Sequence, residues 1–365
     1  MENILIILSS LLILLSVLPF VKNQHWVFRV PEFMKLQILT IQIPLIVLCA
    51  IYLHHSFWFW VLNFSQAFLA AYHLYILLRY TTIYRKKHHS DPAHRSETIK
   101  IISANVYQFN TDYPRFQELI RKHQPDIFIT MESNADWEKA NRILEDDYPY
   151  TQKMTLENTY GMHLYSKIPF EKSKFHFFVA DDVPSIEAHF KTKHGDEYIV
   201  YGVHPPPPSP TEETTSKERD GDLLALGKRI KDDKTPCIVI GDFNTVAWSD
   251  TSILFRKTSE LIDARVGRGI LATFHARYWF FRVPLDLLFH SPEVFIGRLK
   301  TLENFGSDHF PILCEFSINT SDKRQEDDIK TLDAVEEEKV EELIEEGIEE
   351  ESDNREPEKR NFSQK

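Results

Sequence analysis

The chain has 365 residues, enough for one large domain with additions, and its 43% hydrophobic content is sufficient for a core. The formal net charge of −12 is uneven, with +5 in residues 1–95, −7 in residues 96–321 and −10 in residues 322–365. A protein that grips a nucleic-acid backbone by charge alone shows the opposite bias, which makes the middle segment a poor candidate for a strong non-specific DNA binder.

Three uncharged apolar runs come first in the chain, at residues 3–21, 36–53 and 57–78. Each is about as long as a helix that crosses a bilayer, and the first lacks the positive start of a signal peptide. Core helices of a soluble domain are the alternative, and three consecutive uncharged runs joined by short links argue against them. We therefore predict three transmembrane helices within residues 1–84, which would anchor the protein in a lipid bilayer.

Lys and Arg residues are unevenly distributed around these runs. The first link carries Lys22, Arg29 and Lys35, and a basic linker at residues 85–97 follows the third run. The second link has no Lys or Arg. Because cytoplasmic loops carry an excess of positive residues, this bias predicts a multi-pass membrane protein whose C-terminal region faces the cytoplasm.

Residues 98–317 alternate between short apolar strands and amphipathic helices. Helices are predicted at YPRFQELIRKH, residues 134–146 and residues 216–231. Strands are predicted at IKIISANV, DIFITMES, YGMHLYSK, EYIVYGVH, TPCIVIGDFN, LDLLFH and DHFPILCEF. This pattern predicts an α/β or α+β sandwich. The three cysteines show no metal-ligand spacing and predict no disulfide framework.

Residues 318–365 form an acidic tail. Apolar residues recur in it at roughly helical spacing among many glutamates, namely Ile329, Leu332, Val335, Val340, Leu343, Ile344 and Ile348. A solvated helix or a disordered tail is the simpler prediction. The alternative is an amphipathic helix that docks on the domain or on a protein partner.

Polar residues stand at the ends of several predicted strands. They are Asn105, Glu132, His204, Asp242, Asn244, Asp286, Asp308 and His309. A buried carboxylate is costly unless it is paired or binds a cation, and carboxylate and amide oxygens favour Mg²⁺ or Mn²⁺ over Zn²⁺. One such residue alone is most simply a cap or a turn residue. The whole set predicts a divalent metal site at one edge of a layered fold.

The same motifs, in the same order, resemble the endonuclease/exonuclease/phosphatase (DNase I-like) superfamily. They are SANV, MES, YGMHLYSKIPF, VHPPPP, GDFN and GSDHFPI. The proline run and the N-terminal apolar runs are similar to a bacterial membrane-anchored branch. The resemblance implies a four-layer α/β sandwich, in which two packed mixed or antiparallel sheets are flanked by helices, preceded by three transmembrane helices.

The resemblance also implies roles around a metal ion. Glu132 would ligate the metal, with Asn105 beside it and Asp308 in the same shell. Asp242 would orient and deprotonate the attacking water. Asn244 would donate a hydrogen bond to a phosphate oxygen.

Further roles follow for the histidines. His309 would hold the phosphate and stabilise charge at phosphorus, His204 would be a second phosphate ligand, and Asp286 would orient His309. The segment ATFHARYWFFRVPLDLLF departs from the membrane-anchored branch, because Phe274 stands for a Trp and Leu287 for a His. This departure puts substrate contacts in that segment in doubt.

Two other residues are weaker candidates for the site. Tyr160 is a candidate for a phosphate contact, although a strand Tyr is more often part of the core. Arg219 follows the proline run on a predicted helix and could face an anionic substrate, but an exposed helix Arg is the simpler prediction.

Together these features predict a membrane-anchored, Mg²⁺-dependent phosphoesterase. It would hydrolyse a phosphodiester or phosphomonoester by metal-assisted in-line attack of water. Nucleic acid, phospholipid and small phosphoesters stay open as substrates, since fold does not choose among them. The alternative is a catalytically silent membrane scaffold that binds partners through its acidic tail.

Overall fold

A computed structural model describes residues 1–54, 57–84 and 97–352. The chain divides into two compact units, one of Met1–Lys86 with Val266–Ile270 and the other of Lys87–Arg265 with Leu271–Lys365. Most of the predicted basic linker and the end of the acidic tail lie outside the described residues.

The first unit is helical. Its helices are α1 (Glu2–Val17), α2 (Trp26–Phe33), α3 (Lys35–Tyr52) and α4 (Phe57–Leu78). A 3₁₀ turn extends α1 to Phe20, and this extended helix, α3 and α4 are each long and apolar enough to cross a membrane. They coincide with the three predicted apolar runs. The short helix α2 lies in the link between the first two apolar runs, where no helix was predicted.

Polar side chains of the first unit lie between its helices. Nε2 of Gln42 donates to Oγ of Ser16 at 3.1 Å, and Nε2 of Gln66 donates to Oγ of Ser9 at 2.9 Å. Apolar side chains such as Ile7 point outward and are exposed. This distribution is typical of helices that associate within lipid, where interhelical hydrogen bonds replace water.

The second unit contains two six-stranded sheets. Their strands are β1 (Ile99–Asn105), β2 (Ile127–Met131), β3 (Tyr150–Met154), β4 (Met162–Ser166), β5 (Phe170–His176), β6 (Ser185–Lys191), β7 (Glu197–Val203), β8 (Cys237–Asp242), β9 (Ile262–Asp263), β10 (Asp286–His290), β11 (Val294–Thr301) and β12 (Ile312–Ile318). The first sheet has the order β11-β12-β1-β2-β4-β3, and the second has the order β5-β6-β7-β8-β10-β9. Each sheet contains one parallel pair, β1 with β2 and β7 with β8.

Helices cover the outer faces of both sheets. They are α5 (Tyr113–His123), α6 (Ala135–Asn141), α7 (Lys217–Asp232), α8 (Asp250–Thr258) and α9 (Ala334–Glu349). Along β1, Ile101 packs between the sheets, whereas Ile102 packs under the helices on the other side. Because both faces of the central strands are buried, these strands are almost continuously apolar. The two sheets and two helical layers confirm the four-layer α/β sandwich.

The strands that were not predicted are β3, β5, β6, β9 and β11. Four of them form the edges of the two sheets. The strand β5, for example, reads FEKSKFH and has only half-buried or exposed residues. An edge strand with one solvated side lacks the apolar run on which the predictions rested.

Helix α9, from the acidic tail, packs against α7 within the second unit. Val340 is buried, and Leu343 and Ile344 pack against the core between the second sheet and its helices. Gly347 crosses α7 at Gly221 so closely that a Cβ on Gly347 would lie 2.8 Å from a backbone oxygen of α7. The prediction of a solvated or disordered tail was therefore wrong for this helix, because its apolar stripe finds a complementary surface in the same chain.

Candidate active site

The ends of the two parallel strand pairs place the predicted site residues at one edge of the sandwich. Asn105 is the last residue of β1 and Asp242 the last residue of β8. Glu132 follows β2 and His204 follows β7. Asp286 begins β10. This strand runs antiparallel to β8, so Asp286 lies opposite Asp242 in the sheet. Both sheets therefore contribute to one site.

Asn105 joins the two carboxylates that belong to different sheets. Its Nδ2 donates to Oε1 of Glu132 at 3.0 Å and to Oδ2 of Asp242 at 3.2 Å. Its Oδ1 accepts the backbone N–H of Tyr107. Since this acceptor role fixes the orientation of the amide, its NH₂ group faces the carboxylates. The role of Asn105 beside a metal stays a prediction.

Glu132 is held by a second donor. Its Oε2 accepts the backbone N–H of Gln108 at 3.0 Å, and its own φ of +60° lies in the left-handed region. Such a backbone conformation costs on the order of 1 kcal/mol or more and persists only where neighbouring contacts fix it. The carboxylate is consequently aimed at the site by the turn after β2.

His309 lies between two aspartates. Its Nδ1 is 2.9 Å from Oδ2 of Asp286, and its Nε2 is 3.4 Å from Oδ2 of Asp242. Burial alone would lower the pKa of His309, but the charges of Asp242, Asp286 and Asp308 raise this pKa to about 10. His309 is therefore a protonated imidazolium at neutral pH, and Asp286 fixes the orientation of its ring.

The GDFN turn fixes Asp242 and Asn244 relative to each other. The backbone N–H of Asn244 donates to Oδ1 of Asp242 at 3.0 Å, and Nδ2 of Asn244 donates to the carbonyl of Pro205 at 2.9 Å. Asn244 has a φ of +49°. A side chain at Gly241 would meet the carbonyl oxygen of Val203 at 2.1 Å, so only glycine allows β7 and β8 to approach this closely.

His204 faces the same aspartate from β7. Its Nε2 is 3.9 Å from Oδ2 of Asp242, and its ring lies 5.4 Å from the ring of buried Tyr160. The hydroxyl of Tyr160 donates to Glu212 in the segment that follows the prolines. Tyr160 therefore supports His204 from the core side.

Arg219 on α7 is buried, and the prediction of an exposed helix Arg was wrong. Its Nη1 donates to the carbonyl of Asn244 at 3.1 Å, and its Nη2 donates to Asp220 at 2.7 Å. Arg219 is 1% exposed. It lies at helical spacing from Leu223, Leu226 and Ile230, so its position on the inner face was readable from the sequence.

Ser307 belongs to the GSDHFPI motif, and the sequence predicted no role for it. Its Oγ donates to the carbonyl of Asn105 at 2.8 Å and accepts the backbone N–H of His309 at 3.0 Å. Ser307 thus ties the loop that carries Asp308 and His309 to the end of β1. Its place directly before this pair was the only signal for it.

The departures at Phe274 and Leu287 have different consequences. The ring of Phe274 lies 4.9 Å from the ring of His309, so Phe274 contacts the site. Leu287 is fully buried on the helix-covered face of β10 and packs in the core there.

The donor set fits a hard divalent cation. Glu132 and Asp242 are carboxylates at the ends of two strands, and Asn105 donates to both; such oxygens suit Mg²⁺ or Mn²⁺. Among the described residues, Asp242, Asp286 and His309 have possible ligand atoms within 4.8 Å of one another. In this cluster His309 already uses Nδ1 toward Asp286, so the carboxylates are its available cation ligands. The roles of Glu132, Asn105 and Asp308 around a metal stay predictions.

Comparison with solved structures identifies the fold. D. rerio TDP2 complexed with a single-strand DNA product superposes with a TM-score of 0.52, at 17% identity over 60% of this chain and 99% of that chain. A mannosyl-6-phosphatase from Bacteroides thetaiotaomicron VPI-5482 gives a TM-score of 0.50, at 18% identity over 60% of this chain and 100% of that chain. At these identities the likeness shows the fold alone.

A family-level match concerns the sequence itself. None of the curated proteins compared with this sequence matches it. The sequence pattern of the Endonuclease/Exonuclease/phosphatase family matches residues 102–309, which is more than half of the chain and includes every predicted site residue. The chain belongs to the Endonuclease/Exonuclease/phosphatase family.

Proposed function

We propose that the protein is a membrane-anchored, Mg²⁺-dependent phosphoesterase that hydrolyses a phosphodiester or phosphomonoester by in-line attack of water. The observation that carries this proposal is the shared amide of Asn105. It brings the carboxylates of Glu132 and Asp242 together, while His309 faces Asp242. Two carboxylates therefore adjoin the imidazole of His309, and this arrangement supports a metal ligand and a base beside a phosphate-binding group.

Asp242 is the proposed base. Water is a poor nucleophile at neutral pH, so a carboxylate must accept its proton as it attacks. Asp242 is buried, and its Oδ1 is fixed by the N–H of Asn244. Its Oδ2 faces the site. Asn244 would place its amide against a non-bridging phosphate oxygen.

His309 and His204 are the proposed phosphate ligands. An imidazolium held by Asp286 stabilises the negative charge that grows on the equatorial oxygens, and it needs no reorganisation to do so. A divalent ion held by Glu132 and Asp308, with Asn105 beside it, would neutralise phosphate charge and polarise the P–O bond. The assignment of Mg²⁺ or Mn²⁺ rests on the oxygen donors.

Membrane anchoring is proposed from the three apolar helices. The first link carries Lys22, Arg29 and Lys35, and the segment after α4 is also basic, which favours a catalytic domain on the cytoplasmic side. A reporter enzyme that is active only in the cytoplasm can be fused after Arg95, and we expect this fusion to be active. Activity only outside the cell would reverse this orientation.

The rival function is a silent membrane scaffold that binds partners through its tail. To separate the phosphoesterase from the scaffold, the full chain in detergent is assayed with bis-p-nitrophenyl phosphate and p-nitrophenyl phosphate in the presence of Mg²⁺. We expect turnover that EDTA abolishes and that excess Mg²⁺ or Mn²⁺ restores. No turnover with either metal would favour the scaffold.

A further inference from the structure

An exposed aromatic loop stands beside the candidate active site. We call residues 274–283 the aromatic loop. It contains four consecutive aromatic residues, of which Tyr278, Trp279 and Phe280 are 43%, 79% and 61% exposed. Trp279 and Phe280 contact each other edge to face, with ring centroids 6.1 Å apart. Adjacent exposed aromatic side chains of this size usually mark an interaction surface.

Backbone hydrogen bonds attach this loop to the loop that carries His309. The N–H of Ala276 donates to the carbonyl of Asp308, and the N–H of Phe310 donates to the carbonyl of Thr273 at 3.0 Å. Within the aromatic loop, the N–H of His275 donates to the carbonyl of Phe281 at 3.2 Å. The exposed tip is therefore held at a defined position relative to His309.

The tip is flanked by positive charge, although residues 96–321 carry a net charge of −7. Arg277 and Arg282 directly flank the four aromatic residues. The guanidinium of Arg282 lies 4.8 Å from the ring of Phe310, next to His309. Aromatic rings flanked by arginines are complementary to the interface of an anionic bilayer.

We propose that the aromatic loop inserts Trp279 and Phe280 into the bilayer interface and thereby presents a phospholipid headgroup to the active site. This inference rests on the proposed phosphoesterase function and names its substrate class as a membrane lipid phosphoester. The rings sit among the acyl chains near the headgroups, and the arginines meet lipid phosphates. Since the loop is fixed to Asp308 and Phe310, its insertion places His309 at headgroup level.

Single-stranded nucleic acid is the competing partner, because bases also stack on exposed aromatic rings. A backbone-binding groove would need a longer basic path, and the domain is acidic overall. Moreover, the chain carries three helices that are apolar enough to cross a membrane, which favours the lipid surface.

The test uses the full chain in vesicles of phosphatidylcholine and phosphatidylglycerol with Mg²⁺. Phospholipid hydrolysis is measured beside hydrolysis of water-soluble bis-p-nitrophenyl phosphate, and the ratio of the two rates is the readout. We expect the double variant Trp279→Ser/Phe280→Ser to lower this ratio by about tenfold. The control Ile143→Ser, an apolar residue 56% exposed outside the aromatic loop, leaves the ratio unchanged.

A second measurement does not depend on hydrolysis. Vesicles with brominated acyl chains quench tryptophans that enter the bilayer, and comparison with Trp279→Phe isolates the signal of Trp279. We expect Trp279 to be quenched. Absence of quenching, or an unchanged ratio in the double variant, overturns the proposal.

Two further outcomes separate the possible failures. A double variant that loses rate on a single-stranded oligonucleotide, but keeps the lipid ratio, would overturn the proposal in favour of base stacking. If the wild-type chain hydrolyses neither phosphoester, the proposed enzyme function fails. The contact of the loop with the bilayer is then judged by quenching alone.

Discussion

Replacement of Asp242 by Asn is expected to lower kcat for bis-p-nitrophenyl phosphate by about 10³-fold, or ~4 kcal/mol of transition-state stabilisation. An amide cannot accept the proton of the attacking water. The variant also removes a carboxylate that raises the pKa of His309, so this pKa should fall. Initial rates with saturating Mg²⁺ test the first effect, and histidine NMR titration tests the second.

The matched control for this variant is Asp250→Asn. Asp250 begins α8 and is exposed, so its substitution changes the same charge without touching the site. The Asp250 variant should unfold at the wild-type temperature. The Asp242 variant should lose about 1–3 kcal/mol of folding free energy, because both oxygens of Asp242 accept hydrogen bonds and the new NH₂ group must face one of the donors, Asn105 or Asn244. If the Asp242 variant retains near-normal kcat while folded, another group is the base.

Replacement of Glu132 by Gln is expected to lower the rate by about 10²- to 10³-fold and to raise the Mg²⁺ concentration needed for half-maximal rate. Both oxygens of Glu132 accept hydrogen bonds, from Asn105 and from the N–H of Gln108. The NH₂ group of Gln must face one of these donors. This mismatch should cost about 1–3 kcal/mol of folding free energy as well.

Binding of Mn²⁺ provides a readout for Glu132 besides activity. Calorimetry should show weaker Mn²⁺ binding by the Glu132→Gln variant and wild-type binding by Glu118→Gln, where an exposed glutamate on α5 is changed in the same way. Equal Mn²⁺ affinity in both variants would remove Glu132 from the metal site. Thermal unfolding separates the stability cost from the loss of metal.

The central strands could be predicted from the sequence because of their burial. The strands β1, β2, β7 and β8 lie inside the sheets and have both faces covered, so each reads as an apolar run that ends in a polar residue. The edge strands β3 and β5 lack this signal. Their position depends on partner strands far away in the sequence, which a local pattern does not contain.

The site could be predicted as a set of residues but not as a set of contacts. Glu132, Asp242 and His309 could be predicted as candidates because each is a polar residue next to a predicted apolar strand. The amide bridge of Asn105 depends on how two sheets pack, and no local spacing encodes that packing. Arg219 was misjudged because an Arg on a helix is usually solvated, whereas here the carbonyl of Asn244 and the carboxylate of Asp220 surround it.

The close crossing of α9 over α7 determines where a fragment of the second unit should end. A fragment that stops at residue 317 would leave uncovered the α7 surface on which Leu343 and Ile344 rest, and it would remove the partners of Lys228 and Lys257. Helix α7 carries Arg219, which donates to the carbonyl of Asn244 in the GDFN turn. Fragments prepared for crystallisation should therefore extend through Ser352, whose hydroxyl still donates to Glu218.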